Sequence, residues 1–127
     1  MAVTEYNCTN AFAEEWGDWV ATFSPFKIGL YTVSPSKSAA GTECTGGGYA
    51  RINGTLLARS GGIPGTVWNE AEFAFGTPSV GWGVVVAIGV HKADGTLWFW
   101  IPVTPGINCP AGAPVSITTE TLIEYIS

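Results

Sequence analysis

The sequence predicts a mainly β protein: an antiparallel β-sandwich, jelly-roll-like, of about seven or eight strands, with one short N-terminal α-helix. Apolar residues recur at every second position through most of the chain from Lys27 onward, as expected of strands with one buried face. The 17 glycines and 8 prolines break the chain into short runs, which suits strands joined by tight turns. An earlier stretch, Thr9 to Phe23, follows a helical period instead.

That stretch, TNAFAEEWGDWVATF, places Phe12, Trp16, Trp19, Val20 and Phe23 on one face of a helix over about residues 10–23. Asn10 is the expected cap. Glu14 and Glu15 fall in the early turns, where negative charge suits the helix dipole, and Ser24-Pro25 ends the element because a residue before proline avoids helical angles. Gly17 costs about 1 kcal/mol relative to alanine in a helix interior. So short a helix needs a surface for its aromatic stripe, expected to be its own sheet.

The sandwich is expected over residues 27–126, as one domain spanning 1–127. Its strand-like runs are KIGLYTV, YARING with TLLA, TVWNEAEFAF, GVVVAIGVHK, TLWFWIPV and PVSITTETLIEYI. In NEAEFAF, Glu70 and Glu72 form a wet face opposite Phe73 and Phe75. GVVVAIGV is apolar on both sides and belongs in a central strand, joined to its successor by a hairpin turn at Ala93-Asp94-Gly95-Thr96. The segment Ser34 to Gly48, about fifteen residues, is longer than an ordinary hairpin loop.

Composition removes several function classes. The formal charge is −5, and the five cationic residues Lys27, Lys37, Arg51, Arg59 and Lys92 are scattered singly. No basic face is left for a nucleic-acid backbone. No apolar run reaches membrane-spanning length without Gly, Pro or a charge, and MAVTEYNCTN lacks the basic start and apolar run of a secretory signal. Cys8, Cys44 and Cys109 have no metal-ligand spacing; reduced thiols are the default, with a bridge between two of them left open. Charged residues are only 12% of the chain and tryptophans number six. Such a surface is expected to be covered by neighbours, including copies of the same chain.

The inventory for catalysis is thin, and no catalytic residue, cofactor or metal is expected. Gly46-Gly47-Gly48 is not followed by the Lys-Ser or Lys-Thr pair and helix of a phosphate cradle; Tyr49, Arg51 and Asn53 alternate with Ala50 and Ile52 instead, as in a strand. His91, the single histidine, falls at a strand end beside a turn, where a solvent-facing or pairing role is ordinary. Glu70 and Glu72 lie side by side rather than across a cleft. A binding role is harder to dismiss. Trp68, Trp82, Trp98 and Trp100 could stack sugar rings, with Trp82, Trp98 and Trp100 the candidates for a host surface glycan. Two residues apart, Trp98 and Trp100 should share one strand face, with Leu97, Phe99 and Ile101 on the other.

The order of the pieces IGLYTVSPS, GTECTGGGYARI, VWNEAEFAF, VGWGVVVAIGVHKADGTLWFWIPV and PAGAPVSIT resembles a family of small bacteriophage virion proteins, the phage tail fibre or minor tail proteins. The most specific parts are the Leu30-Tyr31-Thr32 run, the block Glu43 to Arg51 and the Trp82 to Val85 run. The resemblance implies a β-sandwich without catalytic residues, made in the host cytoplasm and built into the virion as a tail fibre or tip component or a capsid decoration protein. It also implies that Arg51 pairs on the surface or across an interface. On this reading Phe12, Trp16, Trp19, Phe23 and the Ser34–Gly48 loop are the candidate contacts with other virion proteins or with copies of the chain.

Overall fold

The computed structural model describes residues 9–58, 66–69, 71–118 and 123–125. Helix α1 spans Asn10–Ala21. Its cap is Thr9 rather than Asn10, because Thr9 Oγ1 accepts the Phe12 amide at 3.2 Å and leaves Asn10 as the first helical residue. The helix closes at Thr22, whose amide reaches Asp18 and Trp19 carbonyls at 3.2 Å. Ser24 then ties the exit to Leu56, its Oγ bonded to both the Leu56 carbonyl and amide at 3.1 Å.

Among the described residues ten strands follow: β1 Phe26–Val33, β2 Thr42–Glu43, β3 Ile52–Gly54, β4 Leu56–Ala58, β5 Thr66–Asn69, β6 Phe73–Gly76, β7 Gly83–His91, β8 Leu97–Cys109, β9 Val115–Ile117 and β10 Ile123–Tyr125. All pairings are antiparallel. A five-stranded sheet runs β2-β1-β7-β8, with β3 also on β1; β10-β5-β4 form a second sheet and β6-β9 a third. The fold is mainly β, as the alternation predicts. The strands are more numerous than expected because several runs divide. TVWNEAEFAF breaks into β5 and β6, which belong to different sheets. At this crossing the fully buried Asn69 donates from Nδ2 to the Thr118 carbonyl at 2.7 Å and to the Ala71 carbonyl at 3.3 Å. Glu70 lies outside the described residues, while Glu72 is exposed. The expected strand at Tyr49 begins only at Ile52.

One core joins these layers. Phe26, Ile28 and Leu30 from β1, Val85, Ile88 and Val90 from β7, Leu56, Phe73, Phe75 and Ile117 from the smaller sheets, and Val20 from α1 form one buried cluster. Helix α1 lies on β4 and β5. Its buried side is Ala13, Gly17 and Val20, three residues on one helical face. Gly17, costly to the isolated helix, lies on this buried side. The expected burial of the whole aromatic stripe is therefore corrected: Trp16 packs against the core, but Phe12 is 54% exposed, Trp19 55% and Phe23 37%.

The β7–β8 hairpin closes through Ala93-Asp94-Gly95, with Lys92 and Thr96 paired at 2.8 Å and Gly95 at φ +96°, a three-residue turn with its left-handed position filled by glycine. Beyond it the register shifts between Val90 and His91. His91 faces Leu97 and Val90 faces Phe99, which leaves Trp98 as the extra residue of a bulge. No described helix is long and apolar enough to cross a membrane.

Candidate functional site

The strands β1 and β7 carry one pattern twice, Ile28-Gly29-Leu30-Tyr31 and Ile88-Gly89-Val90-His91, and the register sets Gly29 opposite Gly89. The apolar members enter the core. On the reverse face each ring covers the other strand's glycine: a Cβ on Gly89 would lie 2.5 Å from Tyr31 Cε1, and one on Gly29 would lie 3.1 Å from His91 Cε1. The rings stack at 19° with centroids 5.9 Å apart, and Tyr31 Oη lies 2.8 Å from His91 Nε2. His91 Nδ1 is 2.9 Å from the Lys27 carbonyl. A carbonyl only accepts, so Nδ1 carries the proton and Nε2 accepts the Tyr31 hydroxyl. His91 is 1% exposed, so of the two expected roles, solvent-facing or pairing, it takes the pairing one. Burial pushes its pKa below the ordinary value, opposed by the hydrogen bond to Lys27.

Glu43 stands over Gly29, where a Cβ would come within 2.7 Å of Oε2. Arg51 grips the carboxylate with Nε and Nη2, each 2.9 Å from one of its oxygens, the two-pronged geometry that suits guanidinium to carboxylate. The Tyr49 hydroxyl donates to Glu43 Oε2 at 2.6 Å and accepts the Leu30 amide at 2.9 Å. Burial raises the Glu43 pKa, but the hydrogen bonds from Arg51 and Tyr49 outweigh it and hold the carboxyl below its ordinary value. All three glycines take positive φ, and among them only Gly47 is closely packed. Gly47, at φ +56°, has its carbonyl accepting the Ser79 amide at 3.0 Å and Trp82 Nε1 at 3.2 Å, and a Cβ there would meet the Val80 carbonyl oxygen at 2.4 Å. The loop serves close packing and returns Tyr49 and Arg51 to Glu43.

A second cluster joins α1 to the bulge on β8. Trp19 stacks on Trp98 at 21° with centroids 5.5 Å apart, Phe23 meets Trp98 edge-on at 4.8 Å, and Phe26 packs beneath at 6.0 Å. Lys92 Nζ sits 5.4 Å from the Trp98 ring centroid. Because of the bulge, Trp98 points to the helix side with Phe99 and Ile101, whereas Trp100 lies opposite Gly89 on the reverse face with Leu97. The expected shared face of Trp98 and Trp100 is thus overturned. Their sequence spacing misleads because one inserted residue changes the alternation.

The other candidates fall as follows. Trp82 is 5% exposed and lies edge-on to Tyr49; Trp100 is half-buried; the Trp68 side chain lies outside the described residues. Arg51 is engaged with Glu43 of its own chain. Cys44 and Cys109 are buried free thiols. Burial pushes Cys44 up to about 11 and raises Cys109 as well, and Cys8 lies outside the described residues. Among the described residues no three His, Cys, Asp or Glu side chains gather into a metal-binding group. Sequence reasoning missed the Tyr31–His91 and Glu43–Tyr49 contacts. The repeated Ile-Gly-x-aromatic pattern was the available signal, since glycine inside a strand marks close approach.

A family model described as podophage GP4 fiber I protein gp80 matches residues 8–123. The chain belongs to this fibre-protein family. It is therefore a structural component of a phage fibre, and so of the virion. No curated protein and no solved structure matches it. Within this fibre protein, the buried polar network braces the sheet, and the outer side of α1 presents aromatic rings to its surroundings.

Proposed function

We propose that the chain is a non-catalytic assembly module of the phage tail fibre, holding other fibre subunits through the outer stripe of α1. The observation that carries this reading is the exposure of Phe12 at 54% and Trp19 at 55%, with Trp19 laid flat on Trp98. Large aromatics fixed in place before binding lose little freedom on docking, which favours them as contact anchors. The groups able to do chemistry are occupied in bracing: His91 by Tyr31 and Lys27, and Glu43 by Arg51 and Tyr49.

Copies of the chain meet at a different place. Val80, Val84 and Ile107 are exposed apolar side chains near the end of the β7–β8 hairpin remote from its turn. No Asp, Glu, Lys or Arg occurs from Leu97 to Thr119, so a surface there brings no like charges together.

The test is incorporation. Virions assembled with the Phe12→Ser/Trp19→Ser chain should lack it or carry it in reduced amount, while circular dichroism of the isolated chain stays unchanged. Normal incorporation of a folded double variant sinks the proposal.

A further inference from the structure

We infer that the α1 stripe docks an apolar segment flanked by lysine or arginine, contributed by a different fibre subunit and not by a second copy of this chain. The inference rests on the assembly reading above and adds the chemistry of the partner. Phe12, Glu15 and Trp19 follow one another at steps of three and four, so they are neighbours along one side of the helix, with Phe23 continuing the line. Apolar rings thus alternate with a carboxylate. Glu14 and Asp18 are exposed on the solvent flank of the same helix, and α1 carries no Lys, Arg or His.

None of these three acids takes part in the ion pairs found among the described residues, which join Arg51 to Glu43 and Lys92 to Asp94. Lys92, the cation beside the aromatic cluster, already lies over Trp98 at 5.4 Å and 3.9 Å from Asp94. Two copies meeting through this face would set three carboxylates against three more, in a chain whose formal charge is −5. Like charges brought together across a drying contact repel. A partner with cationic residues beside its apolar ones satisfies Glu15 and Asp18 while its apolar side chains pack on the Phe12 and Trp19 rings.

The test uses the full chain and two synthetic peptides, one alternating leucine with lysine and one alternating leucine with glutamate, followed through tryptophan fluorescence. The lysine peptide should bind and the glutamate peptide should not. Glu15→Gln with Asp18→Asn should weaken binding roughly tenfold and flatten its salt dependence, and Trp19→Ser should abolish it. Unchanged affinity in the amide variant overturns the inference, as does a fluorescence response to cell-wall glycans without one to peptide. A chain that dimerises in light scattering and becomes monomeric with Trp19→Ser overturns it as well.

Virion incorporation separates the two levels. If Glu15→Lys/Asp18→Lys enters virions normally while Phe12→Ser/Trp19→Ser does not, the partner chemistry fails and the assembly surface stands. If both enter normally, the assembly surface itself fails.

Discussion

The Tyr31 hydroxyl donates to His91 Nε2 at 2.8 Å, across two strands whose facing glycines make room for both rings. The pair fixes the register of β1 against β7 on the face away from the core. A one-residue slip would set each ring against a side chain instead of a glycine.

Gly89→Ala should therefore destabilise the protein by about 1–3 kcal/mol, the usual cost of overpacking a filled interior. The new methyl would lie 2.5 Å from Tyr31 Cε1. Urea denaturation measures the loss, and an unchanged midpoint would show that the Tyr31 ring is free to move aside.

Stability should fall in two steps on acidification. His91 has a folded pKa below 6.5, so the unfolded chain takes up its proton first. Its contribution is complete above 6.5 and lost as pH falls through the lower folded value. Glu43 has a folded pKa below 4.5, so its contribution persists to lower pH and disappears as that carboxyl is protonated. Denaturation midpoints measured across this range should show the first decline in the native chain and lose it in His91→Gln.

Asn69→Ala should cost about 1–3 kcal/mol, because it removes the two hydrogen bonds that the fully buried Asn69 side chain gives to backbone carbonyls. Those carbonyls belong to Thr118 and Ala71, on either side of the crossing between sheets. Asn69→Asp should be no better, since a carboxylate has no N–H to give. A thermal melt of both variants checks this; stability equal to the native chain in either one contradicts it.

In a Cys8→Ser background the native protein should react slowly with a thiol reagent at mildly alkaline pH and rapidly once unfolded. Cys44 is buried with its pKa pushed up to about 11, and Cys109 is fully buried, so few thiolates are present and none is accessible. Two thiols titrating quickly without denaturant would refute the burial.

Local pattern made the class of the fold legible. The runs KIGLYTV and GVVVAIGVHK, the second apolar on both sides, gave β1 and β7 to within one residue, and Asp94-Gly95 marked the turn between long strands. Where one run serves two sheets, as in TVWNEAEFAF, nothing in the period announces the break, because each half keeps its own alternation. The aromatic stripe of α1 also read as a buried face. Which side of an amphipathic helix is covered depends on how it lies on its sheet, and here the buried side is the one that carries Ala13, Gly17 and Val20.

The amino-acid order by itself determined that this chain folds as antiparallel layers with one helix, since side-chain periodicity is a property of neighbours along the backbone. The tertiary structure alone decided that His91 is buried against Tyr31, that Arg51 returns to Glu43 of its own chain, and that a bulge turns Trp98 toward Trp19. These contacts join residues distant in sequence. They depend on register and on the room left by absent side chains, and neither is written in a local spacing.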